Sequence, residues 1–154
     1  MGIDVMDTEI GASLRRARML SEAVAWYEVM DPDTIRQILN WIRYDQLFDK
    51  GIDATGEVIG YYSQWTEILS GGLKKFGDEY TLYDTGAFYS GMFVVVLKDA
   101  FVVDSDGADK GEDNLFEKYG EDIVGLTDEN MEKLKEVLRP KYVQAARRML
   151  GLDR

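Results

Sequence analysis

Leu82-Tyr83-Asp84-Thr85-Gly86-Ala87-Phe88-Tyr89-Ser90 opens residues 82–120, the segment around which the rest of the chain is arranged. Before it the apolar residues recur at helical spacing. After it come one hairpin, an acidic loop and a long terminal helix. Its centre, Asp84-Thr85-Gly86, supports two incompatible readings. One is chemical, an aspartate presented for catalysis. The other is structural: the Asp84 or Thr85 oxygen accepts backbone N–H groups while Gly86 relaxes the chain, and residues 87–90 complete a helical turn.

Downstream, Met92-Phe93-Val94-Val95-Val96-Leu97 and Ala100-Phe101-Val102-Val103-Asp104 flank two polar residues, Lys98-Asp99. Two β-branched runs so separated predict an antiparallel hairpin. Residues 105–113 read as a loop, with Asp104, Asp106, Asp109, Glu112 and Asp113 crowded along it. Calcium takes oxygen ligands, but counted from Asp104 the glycine falls fourth, at Gly107, and Ala108 fifth. That is not EF-hand spacing, and no metal or other cofactor is expected. Asn114 to Tyr119 form a helical turn ending at Gly120. Thr127 is the N-cap of the terminal helix, with Asp128 and Glu129 in its first turn and Leu126 placed to staple to Met131. Met131, Leu134, Leu138, Tyr142, Ala145 and Met149 mark its apolar face, and Pro140 should kink or split it.

Upstream, residues 1–9 are polar enough for a flexible arm, followed by a single domain over 10–154. Ile10, Leu14, Ala17, Leu20, Val24 and Tyr27 predict a first helix. Asp31-Pro32 supplies an N-cap and a first-turn proline for a second, carrying Ile35, Ile38, Leu39, Ile42 and Gln46-Leu47 and closing before Gly51. Residues 51–60 read as a loop, and residues 66–76 as a short helix interrupted at Gly71-Gly72. Arg15, Arg16 and Arg18 cluster near the start of the first helix and, with the aromatics Tyr61, Tyr62 and Trp65, are candidate partner contacts.

A chain of 154 residues is one ordinary domain. Cysteine and histidine are absent, which excludes disulfides, thiol nucleophiles, imidazole bases and the usual zinc ligand sets. The formal net charge of -11 is concentrated: residues 78–122 carry 12 acidic against 3 basic side chains. Such a surface repels phosphate backbones, so neither specific nucleic-acid binding nor an anionic membrane is expected. The longest clear apolar run, Met92 to Leu97, falls far short of the roughly 18 residues a membrane span needs. The acidic start lacks the basic, then apolar, pattern of a signal peptide, and residence in a cytosol-like compartment is expected.

Two families share short motifs with this chain. Leu82-Tyr83-Asp84-Thr85-Gly86-Ala87, together with Ile123-Val124-Gly125, is similar to the active-site and supporting segments of retropepsin-like aspartic proteases. That resemblance implies Asp84 as a catalytic carboxylate facing its copy in a second chain. Those enzymes are nearly all β, whereas this sequence is largely helical with one good hairpin. Leu82, Asp84, Thr85, Gly86 and Ser90, the strands between Met92 and Asp104, Tyr119-Gly120 and Gly125-Leu126-Thr127-Asp128 follow an order that resembles the tail-completion, or virion-morphogenesis, proteins of tailed bacteriophages and prophages. It covers roughly residues 80–150. This chain departs from the pattern at Ala87, where arginine is usual, and at Glu121-Asp122-Ile123-Val124, where an Arg-Pro-Phe-Leu-like stretch is usual. The resemblance implies a non-enzymatic head-tail joining subunit in a homo-oligomeric ring, touching portal, connector or tail-tube proteins. The acidic middle would face a basic neighbour or a lumen along which DNA passes without adhering. Virion, and host cytoplasm during assembly, are the implied locations. A non-viral interaction adaptor is the alternative. The fold expected is α+β, with N-terminal helices, a small antiparallel sheet and a long C-terminal helix.

Overall fold

A computed structural model describes residue 12 and residues 24–97, 100–111 and 113–152. It is α+β: helices α1 (Val24–Val29) and α2 (Pro32–Asn40), a π-helix (Trp41–Phe48), and α3 (Gln64–Leu69) and α4 (Ala87–Ser90) precede the strands. The β1 (Met92–Val96) and β2 (Phe101–Ser105) hairpin follows, then a two-residue ladder of β3 (Asp109–Lys110) and β4 (Asp113–Asn114). Next come α5 (Leu115–Tyr119), a 3₁₀ turn (Glu121–Ile123) and the 23-residue α6 (Asp128–Leu150). Arg15, Arg16, Arg18, the arm before Ile10 and the Lys98-Asp99 turn lie outside the described residues.

The caps behave as their residue types dictate. Asp31 Oδ1 accepts the Thr34 N–H at 2.8 Å, and Pro32 sits where a missing N–H costs nothing. Thr127 Oγ1 accepts the Asn130 N–H at 3.3 Å, and Gly151 closes α6 in the left-handed region. β1 and β2 pair antiparallel from Met92 opposite Ser105 to Val96 opposite Phe101. Residues 105–113, read as pure loop, turn back at Gly111 to form the β3–β4 ladder.

α1 lies along α6, joined by Arg148 to Glu28 at 3.1 Å. Between them and α2 sits the core of Val29, Ile38, Ile42, Leu47, Ile123, Leu134 and Ala145, all at most 1% exposed. Trp26 reaches the hairpin, stacking on Phe101 and donating from Nε1 to the Ala100 carbonyl at 3.0 Å. Tyr27, expected on the inner face, is exposed, because Trp26, Val29 and Met30 take the positions that meet α6 and the hairpin.

Two departures reshape the helices. The second helix does not stay α but widens after Asn40 into a π-helix, with the Asp49 N–H reaching the Tyr44 carbonyl five residues back. Gln46 lies in these widened turns and is buried, 1% exposed. Its Nε2 donates to the Gly125 carbonyl at 2.8 Å, and its Oε1 accepts from the Thr127 N–H at 3.0 Å and from Asn130 Nδ2 at 2.8 Å. In α6, Pro140 does not split the helix, which runs unbroken to Leu150. The inward position after Leu138 goes to Lys141, and Tyr142 is exposed. Lys141 turns in because Nζ meets Asp31 Oδ2 at 2.6 Å and Thr34 Oγ1 at 2.7 Å.

Lys141 and the Thr34 N–H hold the Asp31 carboxyl down at about 2, from an ordinary 3.8. A depressed pKa contributes stability above the unfolded value that is lost as pH falls through the folded one. Asp31→Asn keeps an N-cap but loses the ion pair. The Asp31 side chain is 39% exposed, so solvent screening limits the effect. We expect the variant to be about 1 kcal/mol less stable than wild type at pH 7 by urea unfolding. The gap should close between pH 4 and pH 2, roughly the span of the shift. Gln46→Leu strands buried amide groups at both ends of the network; it should lower stability by roughly 2–4 kcal/mol, read as a fall in the urea midpoint.

Candidate functional site

Asp84, Thr85 and Gly86 lie at the mouth of a cleft of about 230 Å³. One wall is the excursion of residues 61–79, from which Tyr62, Thr66 and Lys74 face the cleft; Tyr80 follows it. The far wall is Asp109, Lys118 and Tyr119, and Leu82, Phe88 and Leu115 are apolar lining. Tyrosine rings connect the walls: Tyr62 meets Tyr80 edge-on at 4.9 Å between centroids, and Tyr80 meets Tyr119 at 5.8 Å.

The turn is assembled locally. Gly86 takes φ 83°, a left-handed value that suits glycine, directly before α4. Thr85 Oγ1 accepts the Ala87 N–H at 3.3 Å, and the Gly86 carbonyl accepts the Ser90 N–H at 2.9 Å. Asp84 Oδ1 receives the Lys74 ammonium at 3.1 Å, and that ammonium also lies 5.7 Å from the Tyr62 ring centroid. Lys74 thus ties the excursion to the turn. Immediately upstream, Leu82 adopts φ 53°, the one left-handed non-glycine among the described residues. For a residue with a Cβ that conformation costs on the order of 1 kcal/mol, and packing of Leu82 against the core holds it.

α4 in turn rests on the end of the hairpin. Ser105 donates from Oγ to the Phe88 carbonyl at 2.7 Å, and the Asp106 N–H reaches the Gly91 carbonyl at 3.2 Å. Gly107 lies directly against the Ala87 carbonyl, with no room for a Cβ. Behind the turn, the Tyr89 hydroxyl donates to the Thr81 carbonyl, and burial pushes its phenol well above the ordinary 10.

Of the residues proposed from sequence, Asp84, Thr85 and Gly86 share this cleft, and Tyr62 joins them. Tyr62 is 9% exposed, its hydroxyl 3.1 Å from Thr81 Oγ1, so it is a wall residue and not a free partner contact. Tyr61 and Trp65 are 57% and 73% exposed and do not line the cleft. Sequence reading missed Tyr80, which follows the excursion, and Lys118 and Tyr119, which reach the cleft only through the chain's return at α5. It also missed Ile68, Leu69, Leu73 and Phe76, exposed at 59–90%. Their signal was partly present: Ile68 and Leu69 are adjacent apolar residues on a helix of under two turns, and Leu73 and Phe76 follow the two glycines beyond it.

Chemically, the cleft offers two ammonium groups, two carboxylates and tyrosine rings, an arrangement suited to holding a ligand or a side chain. The acidic loop does not gather its carboxylates: among the described residues, which omit Glu112, no cluster of three could hold a metal ion. No helix among the described residues is long and apolar enough to cross a membrane. No family model, curated protein or solved structure matches this chain.

Gly107→Ala must displace either α4 or the hairpin end. It should cost about 1–3 kcal/mol in urea unfolding and broaden the Asp84 to Ser90 amide signals in an NMR spectrum.

Proposed function

We propose that this chain is a structural protein of a tailed-phage or prophage virion. More particularly, it is a head-tail joining or tail-completion subunit that assembles into a ring and contacts portal, connector or tail-tube proteins. The observation that carries this reading is the contiguous order of the Asp84-Thr85-Gly86 turn, the hairpin, Tyr119-Gly120, Gly125-Leu126-Thr127-Asp128 and one long closing helix. A ring subunit must also present apolar surface to its neighbours, and Trp65, Leu69 and Leu73 stand 73–90% exposed.

No catalytic role is assigned. An aspartic dyad works by two carboxylates sharing a proton, whereas Asp84 Oδ1 lies 3.1 Å from an ammonium. The acidic segment, 12 carboxylates against 3 cations over residues 78–122, suits a basic neighbour or a lumen that DNA traverses without sticking.

Light scattering on size-exclusion peaks over a range of concentrations should show a discrete oligomer. That oligomer should bind purified portal or tail-tube protein from the same genome. A chain that stays monomeric at every concentration and ignores those proteins removes this reading. Peptide cleavage abolished by Asp84→Asn would replace it with the protease.

A further inference from the structure

We propose that the apolar side of the 61–79 excursion docks a second copy of this chain, seating on the outer face of that copy's β1–β2 hairpin in a head-to-tail contact. This rests on the ring reading above and names the two surfaces that build the ring.

The excursion is a closed unit. Its base is clamped by the Tyr61 to Glu79 bridge and by the Tyr62 N–H to the Asp78 carbonyl at 2.9 Å. From it, α3 displays Trp65, Ile68 and Leu69 at the i, i+3, i+4 spacing of one helical face, exposed at 73%, 68% and 84%. Leu73 and Phe76 follow at 90% and 59%. With Tyr61, these side chains offer on the order of 800 Å² of surface, about what one partner contributes to a standard stable interface.

The hairpin supplies the second surface. An antiparallel sheet with one wet side normally turns polar residues outward. Here Phe93, Val95 and Val102 occupy that side, 40–48% exposed. Among the described residues the sheet has only two strands, so each strand also keeps a free edge.

Charge decides which surface meets which. Asp104 stands opposite Phe93 in the register, and Asp106 follows it, so two hairpin faces brought together would oppose like charges. The excursion is of mixed charge, with Glu67, Asp78 and Glu79 beside Lys74 and Lys75, and Lys75 stands between Leu73 and Phe76. Excursion against hairpin therefore sets apolar on apolar with a lysine near aspartates, the complementary arrangement. A contact between two different patches is heterologous, and heterologous contacts propagate into rings or filaments.

The test uses the full chain and light scattering. The knob variant is Leu69→Asp with Leu73→Asp. The face variant is Val95→Glu with Val102→Lys, a cross-strand pair whose opposite charges preserve strand pairing. Circular dichroism verifies folding. Leu73→Asp alone, at a side chain 90% exposed, serves should the knob variant fail to fold, and Val102→Lys alone, at 48%, should the face variant fail. Wild type should assemble, and each folded variant alone should lose association by about 100-fold or more. An equimolar mixture of the two should recover a 1:1 pair that grows no further, because each retains one complementary half. A face variant that still dimerises alone means that excursions pair with each other, and a knob variant that assembles like wild type means that the excursion is not used. Either overturns the proposal while leaving the ring intact. A wild type that never assembles overturns the ring itself.

Discussion

Gln46 is the residue on which the arrangement of this chain depends. One buried amide donates to the Gly125 carbonyl and accepts from the Thr127 N–H and the Asn130 side chain, so it binds the last residues before α6 and the first turn within it. Position 46 lies four residues beyond Ile42 on the inner side of the second helix, within the stretch that widens into π geometry after Asn40, and there the amide partners the buried groups at the start of α6. Such groups cost free energy when unpaired in the interior, so the π-helix and the start of α6 stabilise each other.

A second tie fixes the same helix further along. Lys141, one residue after Pro140, meets Asp31 and Thr34 at the start of α2. Thr34 is fully buried and its hydroxyl donates a hydrogen bond to the Val29 carbonyl at 3.2 Å, so the cluster also fixes the bend between α1 and α2. Between these two ties lies the apolar seam of Ile38, Ile42 and Leu134. The polar contacts set register and angle, and the apolar contacts supply most of the burial energy.

Both surfaces of functional interest follow from how this frame disposes of the remaining chain. The frame consumes α1, α2, the π-helix and α6, leaving residues 61–79 to leave the body and return through a short clamp at Tyr61 and Glu79. One side of that excursion closes the cleft over Asp84-Thr85-Gly86 through Tyr62 and Lys74; on the other, Trp65, Ile68 and Leu69 stand 68–84% exposed. The hairpin is similar: Val94, Val96, Phe101 and Val103 pack inward, and no element among the described residues lies over Phe93, Val95 and Val102. A two-stranded hairpin is marginal alone, and its inward face on the core keeps it ordered.

Local physical chemistry was legible in the amino acids alone. Asp31-Pro32, Thr127 with two following carboxylates, the glycine pair at 71 and 72, the left-handed Gly86 and the two β-branched runs each act on backbone groups a few residues away. The α+β class and the element order could therefore be read directly. The choice of face could not. Gln46 and the start of α6 are 81 residues apart, and Lys141 and Asp31 are 110 apart. Which of two adjacent residues turns inward, Tyr62 or Tyr61, Lys141 or Tyr142, Trp26 or Tyr27, is decided by partners at such separations. The same holds for the cleft, whose walls come from residues 62–88 and 107–119. Periodicity alone could supply the stripe on α3, but only the folded chain shows that Trp65, Ile68 and Leu69 stay 68–84% exposed.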